Sequence, residues 1–269
     1  MNIENIITEI EKTDPEVYDR LNSRRSVMQQ FAKLGSKLAL TALPIALGGM
    51  FKKAYGQSTS GIVGVLNYAL TLEYLEAEFY TTGAASGVVP TGTPAVAAIN
   101  TIRDHENAHV AFLKSAITSL GGTPGTKPTF DFTAGGAFSN VFTNYDTFLA
   151  VSQTFEDTGV RAYKGRAAEL ISNNDVLTAA LQIHSVEARH ASHIRQMRKA
   201  RGASVKPWIT GNDTGGIGSA VQASYNGEEL TTQAGVNIAQ IVSVNAASES
   251  FDEPLTSTQV LAIVSPFIK

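Results

Sequence analysis

The chain has 269 residues, of which 43% are hydrophobic and 17% charged, with a formal net charge of −3. That length supports one sizeable core with extensions, and the charge offers no electrostatic ground for binding nucleic acid. There is no cysteine, which excludes disulfides, iron–sulfur clusters and thiol catalysis, so a metal site must draw on Glu, Asp and His.

Residues 1–56 read as an export signal. Ser23-Arg24-Arg25 precedes an apolar run from Leu38 to Phe51, shorter than the roughly 20 residues a spanning helix needs. Ala54-Tyr55-Gly56 supplies small residues for cleavage. The pattern resembles a twin-arginine signal peptide, the route for proteins exported already folded around their cofactors. The expected location is the periplasm or cell envelope, with no stable membrane span after processing.

Residues 58–202 read as an all-α bundle of four helices. The first is expected from about Ser60 to Thr82, with Val65, Leu66, Ala69, Leu70, Glu73, Ala77 and Tyr80 on one stripe at three-to-four spacing, and with Gly83 and Gly87 ending it. The second opens at Thr93-Pro94, a cap residue followed by proline in the first turn. It carries Ile99, Ile102, Glu106, His109, Leu113 and Ile117 on its stripe and stops at Gly121-Gly122. From Gly121 to Asn144 the chain is rich in Gly, Thr and Pro and long for a loop unless it must travel. It is expected to cross over along the bundle, so that the third helix starts at the end where the second started. The third covers about Tyr145 to Ile171, with Leu149, Ser152, Glu156, Val160, Tyr163, Ala167 and Leu170 on its stripe. The fourth opens at Asn173-Asn174-Asp175, closes at Gly202, and carries Leu177, Ala180, Ile183, His184, Glu187, His190 and Ile194. Arg195, Arg198, Lys199 and Arg201 suit the negative end of its dipole. Residues 203–269 form an extension expected to pack on the bundle, with Thr256-Ser257-Thr258-Gln259 as a capping box opening a short apolar helix.

One constellation occurs twice. Glu73, then Tyr80, then Glu106-x-x-His109 is matched by Glu156, then Tyr163, then Glu187-x-x-His190. Residues three apart on a helix lie on neighbouring faces, so each Glu-x-x-His aims a carboxylate and an imidazole at one point. Two such pairs plus one glutamate from each remaining helix make a six-ligand box for two divalent ions. Four carboxylates neutralise two dications, and carboxylate with imidazole suits iron or manganese, zinc remaining an alternative. The expected metal ligands are therefore Glu73, Glu106, His109, Glu156, Glu187 and His190. Glu73 is chosen over Glu76, at the edge of the stripe, and Glu78, which faces outward, because Glu156 holds the matching place. Tyr80 and Tyr163 are core aromatics or donors to ligands of the opposite half; His184 and His193, flanking the second pair at three-residue steps, are structural, the alternative being that His184 reaches a metal or a ligand from its inward face. Asp104 and Asp157 are expected in solvent, and His105 at the surface or beside the ligands.

The segments LEYLEAEFY and FEDTGVRAY, with ENAH and EARH, resemble the ferritin-like superfamily, and the long second connection resembles that fold's crossover. The tail segments YNGEELTTQAGVNI and ASESFDEPLTSTQVLAIVSPFI are similar to exported bacterial ferritin-like proteins of the desiccation-related group. The resemblance spans about residues 58–269. It implies a ferritin-like four-helix bundle and a dinuclear iron or manganese site with those six residues in the ligand positions. Its activities range over ferroxidases, peroxide-reducing enzymes, manganese catalases and oxygenases, so two functions compete: redox chemistry on O2, peroxide or ferrous iron, and a non-catalytic structural or stress protein with an inert or vestigial site. Storage in a closed shell is a third, which the long tail would obstruct. The oligomeric state stays open.

Overall fold

A computed structural model describes residues 59–269; the export signal expected in residues 1–56 lies outside that range. Four long helices dominate: α1 (Thr59–Ser86), α2 (Pro94–Ser119), α3 (Tyr145–Arg166) and α4 (Asn174–Ala200). Local chemistry sets their ends. Asn144 and Asn173 cap α3 and α4 by accepting from the backbone N–H groups of Thr147 and Val176. Pro94 occupies the first turn of α2, whose N–H needs no partner. α1 runs past the expected end at Thr82, because Gly83 does not break it. Gly83 makes room instead: a Cβ there would lie 2.2 Å from the Phe148 ring. The left-handed Gly87, at φ 80°, follows the helix end. α3 ends earlier than expected, tightening into a 3-10 turn at Ala167–Leu170.

The α2–α3 connection travels along α1. Gly122 lies against Val63 near the start of α1. Next, Asn67 donates to Thr123 O and accepts from Gly125 N. Lys127 then pairs with Glu78, and the Phe132 ring meets Phe79 at 5.4 Å. α3 therefore begins at the end of the bundle where α2 begins, as the length of the connection predicts.

The extension wraps the outer side of α3. It contains a two-stranded hairpin, β1 (Thr232–Gln233) with β2 (Val236–Asn237), and two short helices, α5 (Val244–Ser248) and α6 (Ser257–Val264). α6 opens on the expected capping box, with both reciprocal bonds between Thr256 and Gln259. Phe267 packs edge-on against Phe155 with ring centroids 4.8 Å apart. Bundle and extension share one core, in which Tyr225, Val260 and Val264 join Phe79, Phe148 and Phe155. Consequently α3 is buried on every side from Val151 to Tyr163. No helix among the described residues is long and apolar enough to cross a membrane.

Candidate metal centre

The antiparallel pairs α1/α2 and α3/α4 bring six side chains to one buried locus. Glu73 comes from α1, Glu106 and His109 from α2, Glu156 from α3, and Glu187 and His190 from α4, all buried. His109 Nδ1 lies 3.1 Å from Glu73 Oε2, 3.2 Å from Glu106 Oε2 and 3.1 Å from Glu187 Oε1. His190 Nδ1 lies 2.9 Å from Glu106 Oε1 and 3.3 Å from Glu156 Oε2. One imidazole N–H cannot serve three oxygens. Such spacings are compatible with the edges of a coordination polyhedron: ligand atoms about 2.0–2.1 Å from a tetrahedral ion sit about 3.3 Å from one another. Two groups of potential ligands emerge, Glu73, Glu106, His109, Glu187 and Glu106, Glu156, Glu187, His190, with Glu106 and Glu187 in both.

The donors could hold metal ions. Glu106 Oε1, Glu156 Oε2, both Glu187 oxygens and His190 Nδ1 are buried without a hydrogen-bond partner. His190 Nδ1 and Glu106 Oε1 approach to 2.9 Å, yet they are poorly aligned for a hydrogen bond. Buried lone pairs that converge without donors call for positive charge. Without metal, protons fill that role. Burial opposes a charge on His109, but Glu73, Glu106 and Glu187 hold its ring well above the ordinary imidazole range. Burial likewise opposes His190, which Glu156 and Glu106 bring up to about 11. Burial pushes the Glu106 carboxyl up to about 7. Burial, then Glu106 and Glu73, raise Glu187 well above the carboxylate range.

The tyrosines cross between the halves. Tyr80 of α1 donates to Glu156 Oε1 of α3 at 2.5 Å, and Tyr163 of α3 donates to Glu73 Oε1 of α1. Each hydroxyl fixes a carboxylate whose other oxygen faces an imidazole nitrogen. His105 lies at the rim, with its Nδ1 3.0 Å from His190 Nε2 and the two rings stacked, so the nitrogen of His190 turned away from the carboxylates has a partner.

Two residues differ from the sequence reading. Asp157 is buried rather than solvated, held by both arms of Arg195 at 3.0 and 2.5 Å and by the Tyr225 hydroxyl at 2.9 Å. Glu76 is buried inside the carboxylate cluster rather than at its edge, and burial, then Glu187 and Glu106, raise it well above the carboxylate range. His184 is half-buried, with Asp252 and Lys164 as the charges beside it, and belongs to neither ligand group. Asp104 is exposed and pairs with Arg103, while Glu78 is half-buried beside Lys127. A glutamate three residues from Glu73 is the one signal by which sequence could have found Glu76.

Residues 61–200, which span α1 through α4, match the protein-family model for the ferritin-like domain. No curated protein matches the chain.

Proposed function

We propose, from the premise that this chain belongs to the ferritin-like domain family, that its buried cluster holds two iron or manganese ions and performs redox chemistry on O2, peroxide or ferrous iron. The observation that carries this reading is the set of orphaned donors on Glu106, Glu156, Glu187 and His190, converging from three helices. Glu73, Glu106 and His109 would hold one ion and Glu156, Glu187 and His190 the other, with Glu106 and Glu187 placed to touch both. Two such ions would supply two electrons at one place. The protein supplies position and dryness. Tyr80 and Tyr163 orient the carboxylates, and the apolar walls exclude water. An apolar cavity lined by Leu66, Ala69, Leu113, Ala180 and Ile183 is bordered by Tyr163.

Export and membership of the desiccation-related group belong to the same proposal. They are supported by Ser23-Arg24-Arg25 with its short apolar run and by the tail segments around Tyr225 and Leu255. N-terminal sequencing of protein recovered from the cell envelope checks export; a chain that keeps Met1 in the cytoplasm rejects it.

Elemental analysis of native protein, followed by ferrous-oxidation and peroxide-consumption assays, tests the activity. About two iron or manganese ions per chain are expected, with turnover lost in Glu106→Ala/Glu187→Ala. A wild-type protein that carries metal but turns over neither substrate would reject the redox reading in favour of a structural or stress role.

A further inference from the structure

The sequence holds one tryptophan, and the fold leaves Trp208 49% exposed. Its place is set from the end of α4. Gly202, at φ 97°, turns the chain off the helix. The Gly202 N–H donates to Lys199 O and the Ala203 N–H to Arg198 O, so residues 203–215 fold back along the last turns of α4. Two arginines of α4 tie that loop down, Arg195 donating to Trp208 O at 3.2 Å and Arg198 to Gly215 O at 2.9 Å. The Trp208 side chain is held as well. Glu249 accepts from Lys206 and from the Thr210 hydroxyl, and hydrogen bonds from Lys206, then Thr210 and the Trp208 side chain, keep its carboxyl below the usual carboxylate range. An exposed ring fixed through both backbone and side chain loses little freedom when a ligand stacks on it.

The ring borders a pocket of about 350 Å3 between α4 and that loop, at the lower end of the range for small-molecule sites. Its polar lining comes from Lys199, Ser204, Lys206, Thr210 and Asp213. Lys199 and Ser204 are exposed, with no side-chain partner among the described residues. Asp213 commits one carboxylate oxygen to Gly215 N and leaves the other open. Arg195, Arg198, Lys199 and Lys206 meet only Asp157, Asp213 and Glu249 here, which leaves one positive charge over. We propose that this pocket binds an acidic sugar, the uronic-acid unit of a glycan. The C–H face of the sugar ring lies on Trp208, its hydroxyls pair with Asp213, Ser204 and Thr210, and its carboxylate meets Lys199. Asp213 disfavours a nucleotide, whose phosphate brings more negative charge than the one spare cation offsets and would face that carboxylate. None of the metal-centre residues takes part, so the assignment stands independently of the two-metal reading.

Because Trp208 is the only tryptophan, its emission reports on this loop. The purified protein is titrated with trigalacturonate, with the neutral sugar maltotriose and with adenosine monophosphate, by fluorescence and by calorimetry. Trigalacturonate is expected to shift the emission saturably and to bind about two- to fivefold more tightly than maltotriose, as one exposed charge contact allows. That preference should shrink at high salt. Lys199→Gln should remove it while leaving the affinity for maltotriose unchanged. Trp208→Ala, read by calorimetry, should weaken both sugars about tenfold or more, and Trp208→Phe, which keeps a ring, should recover part of that loss. The melting temperature checks that each variant folds. No saturable shift with trigalacturonate, sugar affinities untouched by Trp208→Ala, or a preference for trigalacturonate that survives Lys199→Gln would overturn the assignment. Tighter binding of adenosine monophosphate than of trigalacturonate would overturn it in favour of a nucleotide.

Discussion

Tyr80 and Tyr163 tie the two halves of the site together, each donating to the lone glutamate of the other half. Burial, then the carboxylate each one faces, raises both phenols well above their ordinary range, so both remain donors at any physiological pH. Tyr163→Phe is expected to leave Glu73 Oε1 without its donor, at about 1.5–3 kcal/mol for a hydrogen bond to a charged group. Its visible effect should be a 10–100-fold weaker metal affinity at nearly unchanged helix content. Titration with Mn2+ checks this, and an affinity within twofold of wild type would show that the hydroxyl does not position the ligand. At this scale the repeated Glu, Tyr, Glu-x-x-His order pointed to the six side chains that the fold brings to one buried locus, and to both tyrosines beside them. Asp157 was not readable, because its partners Arg195 and Tyr225 come from α4 and the extension, a distance in sequence that no periodicity spans. His184 stayed open between a structural role and contact with a ligand, because a position on the inner face of a helix does not say which neighbour the side chain meets.

The helices followed their stripes: Ile99, Ile102, Glu106, His109, Leu113 and Ile117 of α2 are all buried. α3 departs from that pattern, being buried beyond its stripe because the extension covers its outer face. Two contacts fasten that cover. Arg161, fully buried, donates to the carbonyls of Glu253, Ser224 and Asn226 and lies 2.8 Å from Glu228. Leu255 N donates to Arg161 O, and its own carbonyl presses so close to Gly165 that a Cβ there would be 1.9 Å away. Gly165→Ala therefore cannot be accommodated without moving the backbone of the extension. A loss of about 1–3 kcal/mol is expected from such overpacking, with the extension becoming sensitive to limited proteolysis while the bundle stays resistant; a digestion pattern equal to that of wild type would contradict it. Arg161→Leu is expected to be worse, because it strands Glu228 as a buried acid without its guanidinium. A midpoint of urea unfolding equal to that of wild type would show that the arginine contributes little. Neither fastener was legible in the sequence. Arg161 reads as an ordinary helix cation, and Gly165 as a weak spot near a helix end, until the irregular segment at Glu253 and Leu255 that lies on them is known.

Across the whole molecule, burying five carboxylates and two imidazoles in one core makes stability a property of pH and metal together. The four-helix plan and the travelling connection follow from hydrophobic spacing and loop length, whereas the proton balance of the core depends on distances that only the folded chain shows. In the metal-free protein, folded Glu106, Glu187 and Glu76 keep protons that the unfolded chain releases near 4.5. Raising the pH above that value therefore favours unfolding. His109 and His190 act in the same direction above 6.5, since the folded rings hold protons that the unfolded rings give up. Glu73, held below its ordinary value by His109 despite burial, acts oppositely, but only below about 4.5. The metal-free melting temperature is thus expected to fall between about pH 5 and pH 8. Bound metal removes those protons from the folded state, so that the unfolded chain becomes the better proton binder and the slope reverses. At a free metal concentration about 1,000 times the dissociation constant, each ion adds about 4 kcal/mol, and the gap between loaded and metal-free protein should widen steadily toward alkaline pH. Thermal unfolding at pH 5, 6.5 and 8, with a chelator and with excess Mn2+, reads both slopes. Two parallel curves would mean that the ions do not displace the protons of these residues, and that the buried carboxylates and imidazoles are not the ligands.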